Sequence, residues 1–151
     1  MIDPHFRFES RWALPHPRER VWDRLHQVEE YPRWWPWLES FRSEGLAAGS
    51  RTEAVLRAPL RYSLRFTLTV LQATAPSTLV AEVRGDIEGR AQLWLDAVGS
   101  ATRIRILFDV ELCRPILRAV SGGIGHRVLA WGHNHVMDHG VRRFEERALR
   151  G

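Results

Sequence analysis

Hydrophobic positions along this chain follow a two-residue period in its first two thirds and a helical period at its end. From His5 to Leu14, Phe6, Phe8 and Ser10 alternate with Arg7, Glu9 and Arg11, which predicts a strand with one covered face. A helix is predicted next. Pro17 suits its first position, Glu19 its positive end, and Val21, Leu25 and Val28 keep helical spacing with Trp22 alongside. Tyr31-Pro32 ends it, because a residue before proline avoids the helical region. The segment from Pro32 to Phe41 reads as one or two helical turns carrying Trp34, Trp35 and Trp37. Strands are predicted at Arg51–Ala58, Arg61–Ala75, Leu79–Arg84, Ala91–Ala97 and Arg103–Leu112, with the third and fourth joined through Gly85 to Gly89. After Pro115 the period becomes helical. Gly122, Gly123 and Gly125 mark a break, and Arg127 to Leu149 reads as a long helix.

Strands gathered in the middle, with helices set apart from them, predict an α+β fold with an antiparallel sheet of about six or seven strands. An apolar sheet face must be covered, and a single long helix is the available cover. A bent sheet gripping one helix leaves space between them, so an internal cavity is expected, lined by the inner sheet face and the helices. On the long helix Leu129, His133, Val136, Met137, Gly140, Val141, Phe144 and Ala148 share one face, with Trp131 and Asp138 off it. His126 lies one heptad before His133.

The chain has 151 residues, the size of one domain, with no repeat or linker. Hydrophobic residues at 44% and charged residues at 26% exclude disorder. No run is long enough to span a membrane, and the first residues carry no apolar secretory segment, so a cytoplasmic address is expected. Cys113 is the single cysteine, which excludes an internal disulfide framework. All 22 basic residues are Arg, and the net charge is +4. The arginines alternate with Glu and apolar residues rather than forming a block, so no nucleic-acid partner is expected.

Two stretches carry a family resemblance. Pro17-Arg18-Glu19-Arg20-Val21-Trp22 followed by Tyr31-Pro32-Arg33-Trp34-Trp35-Pro36 resembles the opening helices of the START-like, Bet v 1-like (SRPBCC) superfamily with its helix-grip fold. More narrowly the chain is similar to the bacterial polyketide cyclase/dehydrase and lipid-transport family. The tail from Trp131 to Gly140, with His133 and Met137 inside it, resembles a helix of one branch. The resemblance implies a cavity for an apolar or aromatic small molecule such as a polyketide, a lipid or an isoprenoid quinone. Some members are cyclases or aromatases, many only bind and carry, and the family has no universal catalytic residue to transfer.

The expected ligand-binding residues are Trp34, Trp35, Leu64, Phe66, Leu68, Ile106, Phe108, His126, His133 and Met137, with no metal and no cofactor. His135 and His139 are four apart, but they fall away from His133 and lack the glutamate of a zinc-binding helix, so they read as a solvated pair. Arg61, Arg65, Arg103 and Arg105 fall opposite the apolar face, with Asp96, Asp109 and Glu111 as cross-strand partners. Inner-face groups able to move a proton are few: His133, His126 and Tyr62. That scarcity favours binding of a hydrophobic ligand over a cyclase or dehydratase acting through His133. A third reading is a module docking on a protein or quinone-containing partner. The expected state is a monomer or weak homodimer without membrane insertion.

His133 either serves the ligand or bonds a strand carbonyl under the helix, and His133→Phe separates the two. In the first case the variant folds normally and its ligand affinity falls by about 1–3 kcal/mol, the scale of a lost buried hydrogen bond. In the second its melting temperature falls while the affinity of the folded protein is unchanged. Calorimetric titration beside thermal denaturation reads both.

Overall fold

The computed structural model describes residues 5–57, 63–113 and 137–150. Strand β1 (His5–Leu14) is followed by helix α1 (Arg18–Leu25), a 3₁₀ turn (Val28–Glu30) and the short helix α2 (Tyr31–Trp34). Six strands follow: β2 (Leu38–Ser43), β3 (Arg51–Leu56), β4 (Leu64–Thr74), β5 (Thr78–Gly85), β6 (Ile87–Val98) and β7 (Ala101–Leu112). Helix α3 covers 137–144 and continues as a π-helical turn over Glu145–Leu149. The seven strands form one antiparallel sheet in the order β1-β7-β6-β5-β4-β3-β2, curved and unclosed. His126, His133, Tyr62, Arg61, Trp131 and His135 lie outside the described residues.

The register puts the apolar members of each strand on one face. Phe8 stands opposite Phe108, Phe108 opposite Ala91, Ala91 opposite Ala81, and Ala81 opposite Val70. Two clusters hold the ends of this face. At one end Phe144, Ala148 and Leu149 pack on Leu14, Val21, Trp22, Trp34, Leu95 and Ile104. At the other end Phe6, Val83, Ile87, Val110 and Leu112 pack together, with Leu64 and Phe66 against them.

The structure departs from the sequence reading at several places. The first helix does not run to Tyr31-Pro32: α1 ends at Leu25, Val28 lies in the 3₁₀ turn, and Tyr31 is itself helical at φ −52 and ψ −44 and opens α2, with Pro32 in the first turn, where its missing N–H costs nothing. One helical turn is found in the Trp-rich segment, but it carries Trp34 and not Trp35 or Trp37. Trp35 precedes Pro36 and leaves the helical region at φ −126 and ψ 89, so α2 stops at Trp34 and β2 begins at Leu38. The connection expected from Gly85 to Gly89 is strand except at Asp86. Both glycines sit within strands because a side chain has no room: a Cβ would come 2.8 Å from Phe66 Cα at Gly85, and 2.8 Å from Val110 Cα at Gly89. Arg105 is half-buried rather than solvated, its guanidinium 4.2 Å from the ring centre of its cross-strand neighbour Trp94. Arg65 and Arg103 are exposed as expected, while Asp109 pairs with His5 rather than with an arginine.

The last turn of the C-terminal helix ends in carbonyls that have no partner within it. Arginines of α1 meet them: Arg24 Nε donates to Ala148 O at 2.6 Å, and Arg20 Nη2 donates to Leu149 O. These cations also stand at the negative end of the helix dipole. Arg24→Met keeps the apolar stem and removes the donor. It is expected to lower stability by about 1–3 kcal/mol, read as a fall in the urea midpoint. Arg33→Met, which breaks an exposed pair with Glu30 at 3.2 Å, should cost under about 1 kcal/mol.

Candidate functional site

Between the inner face of the sheet and α3 lies a cavity of about 300 Å³. Its floor is made shallow by small residues, since Ala81 and Ala91 face each other at the centre of the sheet. Leu79, Leu93, Ile104, Ile106 and Phe108 rise around them, and Leu68, Val70 and Thr52 close the side toward β3. The roof is Met137, Gly140, Val141 and Phe144 of α3. Leu25, Leu46, Trp35 and Trp37 complete the described lining. Gln92 borders it as well, although its register with Val80 and Leu107 places it on the outer alternation of the sheet.

Of the residues expected from sequence, Trp35, Leu68, Ile106, Phe108 and Met137 come together on this cavity. Trp34 is not on it. Its ring is buried against Phe144, centroids 5.3 Å apart and nearly perpendicular, so it packs α2 onto α3. Leu64 and Phe66 share a face with Leu68 but lie further along β4, against the far cluster. His126 and His133 lie outside the described residues. Trp37 also lines the cavity, as one of the Trp34, Trp35 and Trp37 cluster of which a member was expected at its edge, whereas Thr52, Leu46, Leu25 and the Ala81–Ala91 pair did not figure in the expectation. The alanines were legible as alternating strand positions, but nothing in a sequence tells a small residue in a packed core from one beneath a void.

The roof is held by the α2 aromatics. Trp35 Nε1 donates to Gly140 O at 2.8 Å, and Arg143 Nε donates to Trp34 O. Gly140 offers no side chain, and a Cβ there would lie 3.6 Å from Trp35 Nε1 and 3.7 Å from Trp37 Cζ2. A notch between the two indoles therefore stays open above the floor.

A family model for polyketide cyclase / dehydrase and lipid transport proteins matches residues 14–136 of the 151. The chain belongs to this family. Among solved structures it is similar to a protein from Thermus thermophilus, with 18% identity, 96% of this chain and 98% of that one covered, and a TM-score of 0.79. It is also similar to a START superfamily protein from Mycobacterium smegmatis, with 14% identity, coverage of 95% and 97%, and a TM-score of 0.73. The Zhui aromatase/cyclase of a Streptomyces species follows at 11% identity, coverage of 97% and 94%, and a TM-score of 0.76. At these identities the likeness is one of fold, and the fold is the START-like, Bet v 1-like helix grip. No curated protein matches the sequence. Among the described residues no helix is long and apolar enough to cross a membrane.

Tyr31 anchors the aromatic group from behind. Its ring meets Trp35 edge-on at 4.6 Å and lies 5.4 Å from both Trp34 and Phe41, while its hydroxyl donates to Leu25 O at 2.5 Å. Burial, with a smaller push from the Glu29 carboxylate, raises its ionisation well above the ordinary phenol value. The unfolded chain therefore gives up this proton first, and stability falls as pH climbs past the ordinary value of 10.0. No lysine titrates there to confuse the reading. The slope contributed by Tyr31 should approach about 1.4 kcal/mol per pH unit. Urea unfolding across the alkaline range is expected to show this loss in the wild type, and a clearly shallower one in Tyr31→Phe. Equal slopes would exclude Tyr31 as the source.

Proposed function

We propose that the protein binds a small, uncharged, apolar or aromatic molecule in this cavity, and that holding it rather than transforming it is the task. One observation carries the reading: no ionisable side chain occurs among the described residues that line the cavity. A charged ligand would lose its hydration there with no counter-charge to replace it, at a cost of several kcal/mol. An aliphatic or aromatic frame loses nothing of that kind and gains about 25 cal/mol for each Å² of apolar surface removed from water. Family membership supports a ligand-binding or cyclase role in general, and the aromatase/cyclase likeness keeps the second class in view. Turnover would need an acid or base in the cavity. His133, placed on the apolar stripe of the long helix by sequence spacing, is the candidate for that role. A cytoplasmic address and a monomeric or weakly dimeric state belong to the same proposal.

Native mass spectrometry of freshly purified protein tests it directly, by showing a co-purifying small molecule. A titration with the neutral dye phenylnaphthylamine tests it independently, with saturable one-to-one binding expected. Ala91→Leu places a side chain on the cavity floor. It should leave the melting temperature unchanged or raise it, while the dye loses most of its affinity. Dye binding that survives this filling would place the dye outside the cavity and remove the support for the reading.

A further inference from the structure

We infer that Thr52, backed by Ser43, is the hydrogen-bond donor of the cavity, so that its ligand carries an acceptor oxygen, a carbonyl or an ether, on an otherwise apolar frame. The inference rests on the cavity-binding reading above and narrows its ligand class.

Thr52 belongs to the inner alternation Thr52, Ala54, Leu56 of β3, opposite Ser43 of β2 and Leu68 of β4. It lines the cavity and is 7% exposed. The other buried polar residue among those described, Thr102, donates from Oγ1 to the carbonyl of His16 at 2.6 Å, which satisfies its proton. Thr52 has no such carbonyl. Its Oγ1 lies 2.7 Å from Ser43 Oγ, and Gly45 N–H donates to Ser43 Oγ at 3.1 Å. Gly45 reaches that position at φ +117, a conformation that suits glycine alone.

The protons can be counted. Ser43 and Thr52 supply two hydroxyl donors but share one oxygen–oxygen bond, so one proton of the pair has no acceptor among the described residues. The bond from Gly45 N–H takes one of the two acceptor sites of Ser43 Oγ and makes the Ser43 hydroxyl a better donor, which favours the direction from Gly45 N–H to Ser43 Oγ, from the Ser43 hydroxyl to Thr52 Oγ1, and from the Thr52 hydroxyl into the cavity. Each bond in such a chain polarises the next, which makes the last hydroxyl a better donor than an isolated one. Thr52 Oγ1 accepts from Ser43 in this arrangement, so its complement is an acceptor oxygen. The absence of ionisable groups from the described lining makes that oxygen a neutral one.

Fluorenone and fluorene differ in one carbonyl on the same flat frame and serve as probes, each displacing phenylnaphthylamine from the protein. The wild type is expected to prefer fluorenone. Thr52→Val keeps the side-chain shape and should weaken fluorenone about tenfold while leaving fluorene unchanged. Ser43→Ala should move the ratio the same way by less. It also decides the question if Thr52→Val does not fold, since a ratio unmoved in Ser43→Ala would then count against the relay. Failure of both probes to bind the folded wild type would overturn the cavity-binding reading and this inference with it. Binding of both, with a ratio that Thr52→Val leaves unchanged, would overturn the inference alone.

Discussion

A single curved sheet presents an apolar face that the described helices meet at one end only, and much of the described structure follows from that arrangement. The described part of the C-terminal helix closes one end, where Phe144, Ala148 and Leu149 meet α1, α2 and the ends of β1, β6 and β7. At the other end Phe6, Val83, Ile87, Val110 and Leu112 pack together. Between them the floor is lowered by Ala81 and Ala91 and the roof by Gly140. Larger residues at these positions would let sheet and helix meet. A sealed, empty void of about 300 Å³ would cost about 7 kcal/mol on the scale found for core cavities, comparable to the whole stability of an ordinary domain. Such a space is tolerable when it is open to water or occupied, and an occupant that replaces the missing contacts stabilises the fold as it binds.

The partition of charge serves the same end. Charged side chains of the strands lie on the outer alternation, so the described lining stays free of them. Arginine suits the remaining tasks better than lysine would. Its flat guanidinium stacks on Trp94 from Arg105 and on Trp34 from Arg24, and its several donors let Arg20 and Arg24 reach terminal carbonyls of the helix from a neighbouring element. The contacts of Arg20 and Arg24, with the Trp35–Gly140 bond, hold the short helices against the long one. They fix the rim of the cavity without placing a charge inside it.

Strands with strict alternation were legible in the sequence. β1 begins and ends where the pattern of Phe6, Phe8 and Ser10 put it, and β7 extends the predicted Arg103–Leu112 by two residues to Ala101. Legibility failed where a local signal had two meanings. Gly85 and Gly89 read as a connection, yet they are strand positions where neighbouring backbone comes too close for a Cβ. The Trp-rich segment read as one or two helical turns carrying Trp34, Trp35 and Trp37, yet the turn stops at Trp34, because Trp35 before Pro36 leaves the helical region. Within the cavity, large residues such as Leu68, Ile106 and Phe108 announced themselves by periodicity. Trp34, just as apolar, packs on Phe144 instead, a choice set by tertiary geometry.

Thr52 shows the limit most clearly. In sequence it is one threonine in a strand where threonine is common, and its place in the alternation is all that marks it. Its meaning comes from two neighbours that only the fold brings together: Ser43 across the ladder, and Gly45 at the turn beyond it. A buried hydroxyl in an apolar wall is costly when its proton has no acceptor. Thr102 avoids that cost through a backbone carbonyl, whereas Thr52 shares a single hydroxyl–hydroxyl bond with Ser43 in which either oxygen can be the donor. In a cavity shaped by small residues and emptied of charge, the group whose hydrogen-bonding capacity is left incomplete is the place where a ligand's polar atom has most to add. The same logic separates carrying from catalysis. A hydroxyl of this kind can orient and select an oxygen, whereas moving a proton near neutral pH calls for a different kind of group.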